Sequence, residues 1–317
     1  MELRQHQIKA VQMLRESLAR GNKRPLLAAP CSFGKTITAA YILKSALEKG
    51  KRGIFICDRV KLVQQTLEEF GEHELPFGVL QGAHELNDPT KPIQIASVQT
   101  LARRPQVDFD IAIVDECHVH YETVTKYMER FSNVPFIGLS ATPYSRALGT
   151  HYDDLILPIT PRQLLDQGFL APIHYYGGKR PDVSGVRRKR IRTGGTDYDP
   201  DSLGEVYEND KALAGDIIYN WLQHGENSQT IAFSPSIKHS KYLVDKFNLA
   251  GIPAVHIDGY MDDEERQIIY EAHDRGEYKI LSCSRLLNTG YDAPSVRCLI
   301  DCYPTCLLYT SPSPRDS

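Results

Sequence analysis

The strongest constraint on this fold is a series of short apolar runs that alternate with helical segments. Pro25-Leu26-Leu27-Ala28, Gly53-Ile54-Phe55-Ile56-Cys57, Gly78-Val79-Leu80, Pro92-Ile93-Gln94-Ile95-Ala96, Asp110-Ile111-Ala112-Ile113-Val114 and Val134-Pro135-Phe136-Ile137-Gly138-Leu139 make up the first half of the chain. Each is too short for a helix, and none shows the apolar–polar alternation of a half-exposed strand. A strand that is apolar on both faces must be covered on both faces. The pattern therefore predicts an α/β architecture, with parallel sheets flanked by helices. The second half repeats it at Thr230–Phe233, Pro253–His256, Tyr278–Leu281 and Val296–Ile300, with helices over Leu213–Leu222, from Ser236 onward and over Asp262–His273. At 317 residues the chain has the length of two ordinary domains.

In such sheets the chemistry collects at the carboxyl ends of the strands. After Ala28 comes Ala29-Pro30-Cys31-Ser32-Phe33-Gly34-Lys35-Thr36, and Ile37 to Leu43 then reads as a helix. Strand, loop, helix is the setting of a phosphate-binding loop, whose backbone N–H groups and helix start cradle a polyphosphate. Lys35 would neutralise the outer phosphates, and the Thr36 hydroxyl would hold Mg²⁺. The usual pattern begins with Gly, where this chain has Ala29. The plain alternative is a strand–helix turn that ends Gly-Lys-Thr. The strand 110–114 ends in Asp115-Glu116. Two adjacent carboxylates closing an apolar strand are costly unless a cation is present. Asp115 suits Mg²⁺ held through water, and Glu116 suits orientation or deprotonation of an attacking water.

Net charge is −3, so contact with nucleic acid needs a local basic surface. No apolar run is long enough to span a membrane. The seven cysteines are scattered without a CxxC pair, which points to reduced thiols and a cytoplasmic protein.

Taken in order, Gly34-Lys35-Thr36, Asp115-Glu116-Cys117-His118 and Ser140-Ala141-Thr142-Pro143 resemble motifs I, II and III of the superfamily 2 helicases and translocases. Asp-Glu-Cys-His is similar to the DExH members, and the wider pattern to the RadD-like and type III restriction-subunit-like branch. The resemblance implies two RecA-like domains that use ATP and Mg²⁺ and act on DNA, duplex or branched and largely without sequence preference, with RNA as an alternative. It implies that Arg4 and Gln7 read the adenine, and that Ala29 to Thr36 hold the phosphates. It gives His118, Ser140 and Thr142 the coupling between nucleotide and nucleic acid. Arg59 and Lys61, and Ser97, Gln99 and Thr100, match the motifs that touch the nucleic-acid backbone. On residues alone the first two are solvated charges at a helix start, and Ser97 is a helix cap. In the second half Phe233-Ser234 matches motif IV and Asn288-Thr289-Gly290-Tyr291-Asp292-Ala293-Pro294 matches motif V. By resemblance Ser234, Thr289 and Gly290 face nucleic acid, while Gly290 and Asp292 line the nucleotide site.

The expected division is a first RecA-like domain over 1–158, a linker over 159–211, a second over 212–305, and a non-native or disordered tail over 306–317. Ile173–Tyr176 reads as a strand within the linker. The basic run Arg187-Arg188-Lys189-Arg190-Ile191-Arg192 reads either as a phosphate-contact patch or as solvated charge paired with Asp197, Asp199 and Asp201. Leu3 to Leu18 forms an amphipathic helix with Ile8, Val11, Leu14 and Leu18 on one face. The family's motif VI, Gln-x-x-Gly-Arg-x-x-Arg, does not follow residue 301. On that ground the chain is expected to bind ATP and hydrolyse it poorly. The function expected of the family is an ATP-dependent DNA helicase or translocase in repair or restriction; the alternatives are an ATP-gated nucleic-acid clamp and an RNA helicase.

Overall fold

A computed structural model describes residues 2–57, 66–67, 70–80, 84–103, 108–119, 121–144, 148–190, 196–284, 286, 293 and 295–303. The chain divides into two compact units, Met1–Pro172 and Ile173–Ser317.

The first unit holds a seven-stranded sheet in the order β3-β4-β2-β5-β6-β1-β7. The strands are β1 (Pro25–Ala28), β2 (Gly53–Cys57), β3 (Phe77–Leu80), β4 (Ile93–Ser97), β5 (Ile111–Val114), β6 (Phe136–Ser140) and β7 (Asp154–Ile156). All pairings are parallel. Successive residues of one strand enter different cores. Leu27, Phe55, Ile95 and Ile113 face one cluster, with α1 (Gln5–Ala19) and α2 (Lys35–Leu47). Leu26, Ile54, Ile56 and Val114 face the other, with α3 (Val98–Arg103) and α4 (Glu122–Arg130). This two-sided burial is why the strands lack alternation. Two short helices follow, α5 (Leu148–His151) and α6 (Pro161–Asp166).

The second unit has a four-stranded parallel sheet, β11-β12-β10-β13. Its strands are β10 (Thr230–Phe233), β11 (Ala254–Ile257), β12 (Ile280–Cys283) and β13 (Cys298–Asp301). The helices are α7 (Pro200–Asn209), α8 (Lys211–His224), α9 (Ile237–Leu249) and α10 (Asp263–Asp274). A two-stranded antiparallel hairpin, β8 (Arg188–Arg190) with β9 (Thr196–Tyr198), stands apart from this sheet.

Three expectations are corrected, and one strand is unexpected. The buried face of α1 is His6, Gln7, Ala10, Val11, Leu14 and Ser17, while Ile8 is exposed. His6 Nε2 and the Gln7 amide have partners inside, so apolar spacing alone misplaces the face. The segment 159–211 is not one linker. Leu164 is buried in the first unit's core with Phe169 and Leu170 against it, whereas Val186, Leu203 and Tyr207 enter the second unit's core. Ile173–Tyr176 forms no strand and is exposed. β7 was not expected; as an edge strand it leaves Leu155 exposed and so lacks the continuous burial of the others. The helix expected over Lys61–Phe70 lies mostly outside the described residues, and the expected tail, 306–317, lies wholly outside them.

Candidate functional site

The loop between β1 and α2 is built to leave a helix start open. Phe33 is fully buried and ties the loop into the core; removing such a ring typically costs about 3–5 kcal/mol. The Phe33 N–H closes a turn onto the Pro30 carbonyl at 3.1 Å, and Ala29 N–H donates to the Ser140 carbonyl of β6 at 2.8 Å. Cys31 and Ser32 are exposed, and Ser32 has φ +61°. Gly34, at φ +82°, is the N-cap of α2 and supplies no side chain to cap it. The first N–H groups of a helix have no acceptor within the helix. Here they remain available to an anion, with the positive end of the helix dipole behind them. Thr36 lies half-buried in that first turn.

The start of α1 braces the loop from behind. Gln7 Nε2 donates to the Phe33 carbonyl at 3.0 Å and to the Gly34 carbonyl at 3.4 Å. Its Oε1 accepts the Arg4 N–H at 2.7 Å. Arg4 reaches the Ser32 carbonyl at 3.3 Å and lays its guanidinium 4.5 Å over the Phe169 ring. His6 Nε2 lies 3.1 Å from the Phe33 carbonyl, with its ring against Phe33 and Phe169. Sequence reasoning missed His6 and Phe169. The first sits in an apolar-looking helix face. The second meets the loop only through tertiary packing.

The carboxyl ends of β5 and β6 bring the polar groups together. Lys35 Nζ hydrogen-bonds Glu116 Oε1 and lies 3.9 Å from Asp115 Oδ1. His118 Nδ1 stands 3.2 Å from Glu116 Oε2 and 3.1 Å from Ser140 Oγ. Ser140 Oγ also accepts the Thr142 N–H at 3.0 Å. A continuous polar path thus runs Lys35–Glu116–His118–Ser140–Thr142. Glu116 has φ +45°, a conformation an L-residue holds at a cost of order 1–3 kcal/mol.

The electrostatics follow from burial and these neighbours. Burial lifts the Asp115 carboxyl above its ordinary range, and the nearby Lys35 only partly offsets this. Burial acts the same way on Glu116, but the His118 and Lys35 contacts outweigh it and hold the group at about 2. Burial pulls Lys35 down, yet Asp115 and Glu116 outweigh it and leave it raised. Asp115 is therefore a buried carboxylate with incomplete charge compensation, a position that a divalent cation suits. Among the described residues no cluster of three His, Cys, Asp or Glu could cage a metal. Thr36 and Asp115 fit Mg²⁺, which keeps water and phosphate as most of its ligands.

The remaining expected residues divide. Ser97 and Thr100 are buried, with their hydroxyls 2.9 Å apart and the Thr100 N–H on Ser97 Oγ at 3.2 Å. Ser234 is also buried, 3.4 Å from Ser282 Oγ. These three hydroxyls face inward, whereas Gln99 is exposed. A polar side chain at the last residue of a buried strand caps the next helix as readily as it meets a ligand. Arg59, Lys61, Thr289, Gly290 and Asp292 lie outside the described residues.

Both units resemble known proteins. Residues 1–145 match the family described as type III restriction enzyme, res subunit, and residues 213–313 match the helicase conserved C-terminal domain. A 51.5 kDa protein of a Lactococcus phage is 30% identical over 285 residues, covering 88% of this chain and 59% of the relative. The putative mitochondrial ATP-dependent helicase irc3 of Schizosaccharomyces pombe is 23% identical over 327 residues, covering 94% and 52%. The chain thus spans little more than half the length of these relatives. The solved structure of the type ISP restriction-modification enzyme LlaBIII bound to DNA has the same fold over 96% of this chain and 26% of its own, at a TM-score of 0.65 and 14% identity. With two RecA-like units, its motifs in family order and both family matches, the chain belongs to the superfamily 2 helicases, in the branch of the restriction-enzyme subunits.

Proposed function

We propose that this chain is the motor portion of an ATP-dependent helicase or translocase that works on DNA in repair or restriction. The observation that carries the reading is the polar path from Lys35 through Glu116 and His118 to Ser140 and Thr142. It joins a phosphate-loop lysine to a neighbouring strand end with no break. The match of residues 1–145 to a restriction-enzyme subunit favours DNA over RNA.

Lys35, with the open N–H groups of α2, would bind the phosphates of ATP, and Thr36 and Asp115 would hold Mg²⁺. Bound ATP supplies a phosphoanhydride whose cleavage drives the motor. Lys35 cannot serve both Glu116 and a phosphate fully, so engaging phosphate loosens its hold on Glu116. A carboxylate held at about 2 is a poor base, because general bases work best near the ambient pH. Release by Lys35 raises the basicity of Glu116 and frees an oxygen to orient the attacking water. His118 then remains its link to Ser140 and Thr142, and so to the loop that follows β6.

ATP turnover with and without duplex DNA tests this, on the wild-type chain, Glu116→Gln and Lys35→Ala. Glu116→Gln should retain nucleotide binding and lose turnover by about 10²–10⁴-fold, while Lys35→Ala should lose binding as well. DNA-independent turnover, or an unaffected Glu116→Gln, sinks the motor reading. Stimulation by RNA alone moves the assignment to an RNA helicase.

A further inference from the structure

The β8–β9 hairpin of the second unit lies outside its parallel sheet and carries a basic strand. Arg188 stands opposite Tyr198, Lys189 opposite Asp197, and Arg190 opposite Thr196. Residues directly opposite share a face, so Arg188, Arg190, Thr196 and Tyr198 lie together on one side. All three β8 side chains are exposed.

The base of the hairpin is fixed. Asp199 N–H donates to the Arg187 carbonyl at 2.7 Å, and Arg187 N–H donates to Ser202 Oγ of α7 at 3.2 Å. Tyr303 O–H donates to the Tyr198 carbonyl at 3.4 Å. Cys302, beside Tyr303, donates its N–H to Phe233, the last residue of β10, at 2.9 Å. The hairpin is thereby tied to the carboxyl edge of the second sheet, the edge where α/β sheets hold ligands.

Asp197 stands opposite Lys189, on the other face of the ladder, so the face of Arg188 and Arg190 carries no acid of the hairpin. Arg187 reaches Asp199 at 3.8 Å, but that carboxylate already caps α7 through the Ser202 N–H. Arg188 sits 5.9 Å over the Tyr198 ring. Among the described residues, Lys189 and Arg190 have no acid within ion-pair distance. In a chain of net charge −3, such a run is a local departure from the whole. Residues two apart on a strand are separated by roughly 6.6 Å, close to the spacing of successive phosphates along one nucleic-acid strand. Arginine is the side chain best shaped to fork onto phosphate oxygens.

We propose that the Arg188–Arg190 face is a phosphate-backbone clamp for nucleic acid, a contact separate from the motifs of the helicase core. It rests on the reading that the chain acts on nucleic acid. The clamp carries affinity without sequence preference, because phosphate contacts contain no base information.

The test is fluorescence anisotropy of a labelled duplex oligonucleotide and of its single strand, over a salt series, with the wild-type chain, Arg188→Gln/Arg190→Gln and Arg188→Lys/Arg190→Lys. The glutamine pair should weaken binding, and the log–log salt slope on duplex should become shallower by roughly 0.9 per lost contact, near two in all. The lysine pair should keep most of the slope. Thermal unfolding followed at Trp221, the sole tryptophan, should be unchanged in both pairs, since the replaced groups are exposed. If the wild type binds and the glutamine pair keeps its affinity and slope, the clamp is wrong and the motor reading stands. If the wild type binds neither nucleic acid, both fall. A larger loss on single strand than on duplex assigns the clamp to an unpaired strand.

Discussion

The first crossover of each unit begins in the same way and ends in opposite states. In the first unit β1 leads to α2 through a loop whose last residue, Gly34, cannot cap the helix. In the second, β10 leads to α9 through Ser234-Pro235-Ser236, and Ser236 Oγ accepts the His239 N–H at 3.0 Å. One helix start keeps its donors for a ligand; the other satisfies them internally. The strand ends differ to match. Lys35, Asp115 and Glu116 meet around the open start. In the second unit the hydroxyls of Ser234, Ser282 and Ser240 run inward to His256 and Asp258, with Ser240 Oγ 2.7 Å from His256 Nδ1 and His256 Nε2 3.0 Å from Asp258. Similar sheets can thus support a reactive edge or a closed polar network. What separates them is the residue at the helix start together with the lysine and carboxylates gathered around it.

The sharpest way to break the comparison is to close the open start. Gly34→Ala puts a side chain where φ is +82°, at about 1 kcal/mol or more of strain. It also drives the new methyl onto Gln7 Nε2, which holds the Phe33 and Gly34 carbonyls. The loop should shift and nucleotide affinity should fall by about a hundredfold or more, some 2.7 kcal/mol. Calorimetric titration with a non-hydrolysable ATP analogue measures this directly. Near-wild-type affinity would show that the uncapped glycine start is not what makes the site.

How far the sequence revealed this difference depends on the length scale of the signal. The α/β class, most strand positions and the grouping of Lys35, Asp115 and Glu116 were legible because buried parallel strands and a phosphate loop leave local marks. His118 meeting Ser140 followed only from resemblance. Ser97 as a helix cap was legible from the residues alone, but the inward turn of Thr100 and Ser234 was not, since a hydroxyl near the end of a buried strand reads the same whether it caps, packs or binds. The Phe169 ring under Arg4 was hidden for a different reason: it meets the loop across more than a hundred residues of chain, through packing alone. The supposed linker misled because its charged composition masked a few core residues such as Leu203 and Tyr207.

The units should also differ in their response to acid. The second unit buries three imidazoles whose basicity burial lowers: His239, held at about 4, His256 and His273. His239 is fully buried and neither ring nitrogen has a hydrogen-bond partner. Its folded pKa lies below the unfolded value, so between pH 6.5 and 4 the unfolded chain takes up a proton that the folded chain refuses. Stability therefore falls as pH drops through that window, by on the order of 3 kcal/mol from this residue alone. In the first unit the shifts of Asp115 and Glu116 run in opposite directions. Trp221 lies in the second unit, so urea midpoints from its fluorescence report that unit. They should fall from pH 6.5 to 4, and His239→Leu should flatten much of the slope. An unchanged slope would take His239 out of the account and leave the difference to the other two histidines.

The smallest effect is expected from opening the closed start. Ser236→Ala removes the hydroxyl that takes the His239 N–H and should cost about 1 kcal/mol, the usual loss of a serine cap. It should not create a second phosphate site. No lysine follows Ser236 as Lys35 follows Gly34; the next residue is Ile237. α7 also packs close over the cap, since a methyl added to Gly204 would fall on Ser236 Oγ. A freed N–H without a cation, and shielded by a neighbouring helix, binds no polyphosphate. Nucleotide stoichiometry should therefore stay at that of the wild type while the Trp221 transition moves down slightly. If Ser236→Ala gained a second nucleotide, the cap alone would separate the two units. The lysine and the carboxylates of the first would then be refinements of a site that any open helix start in this fold can form.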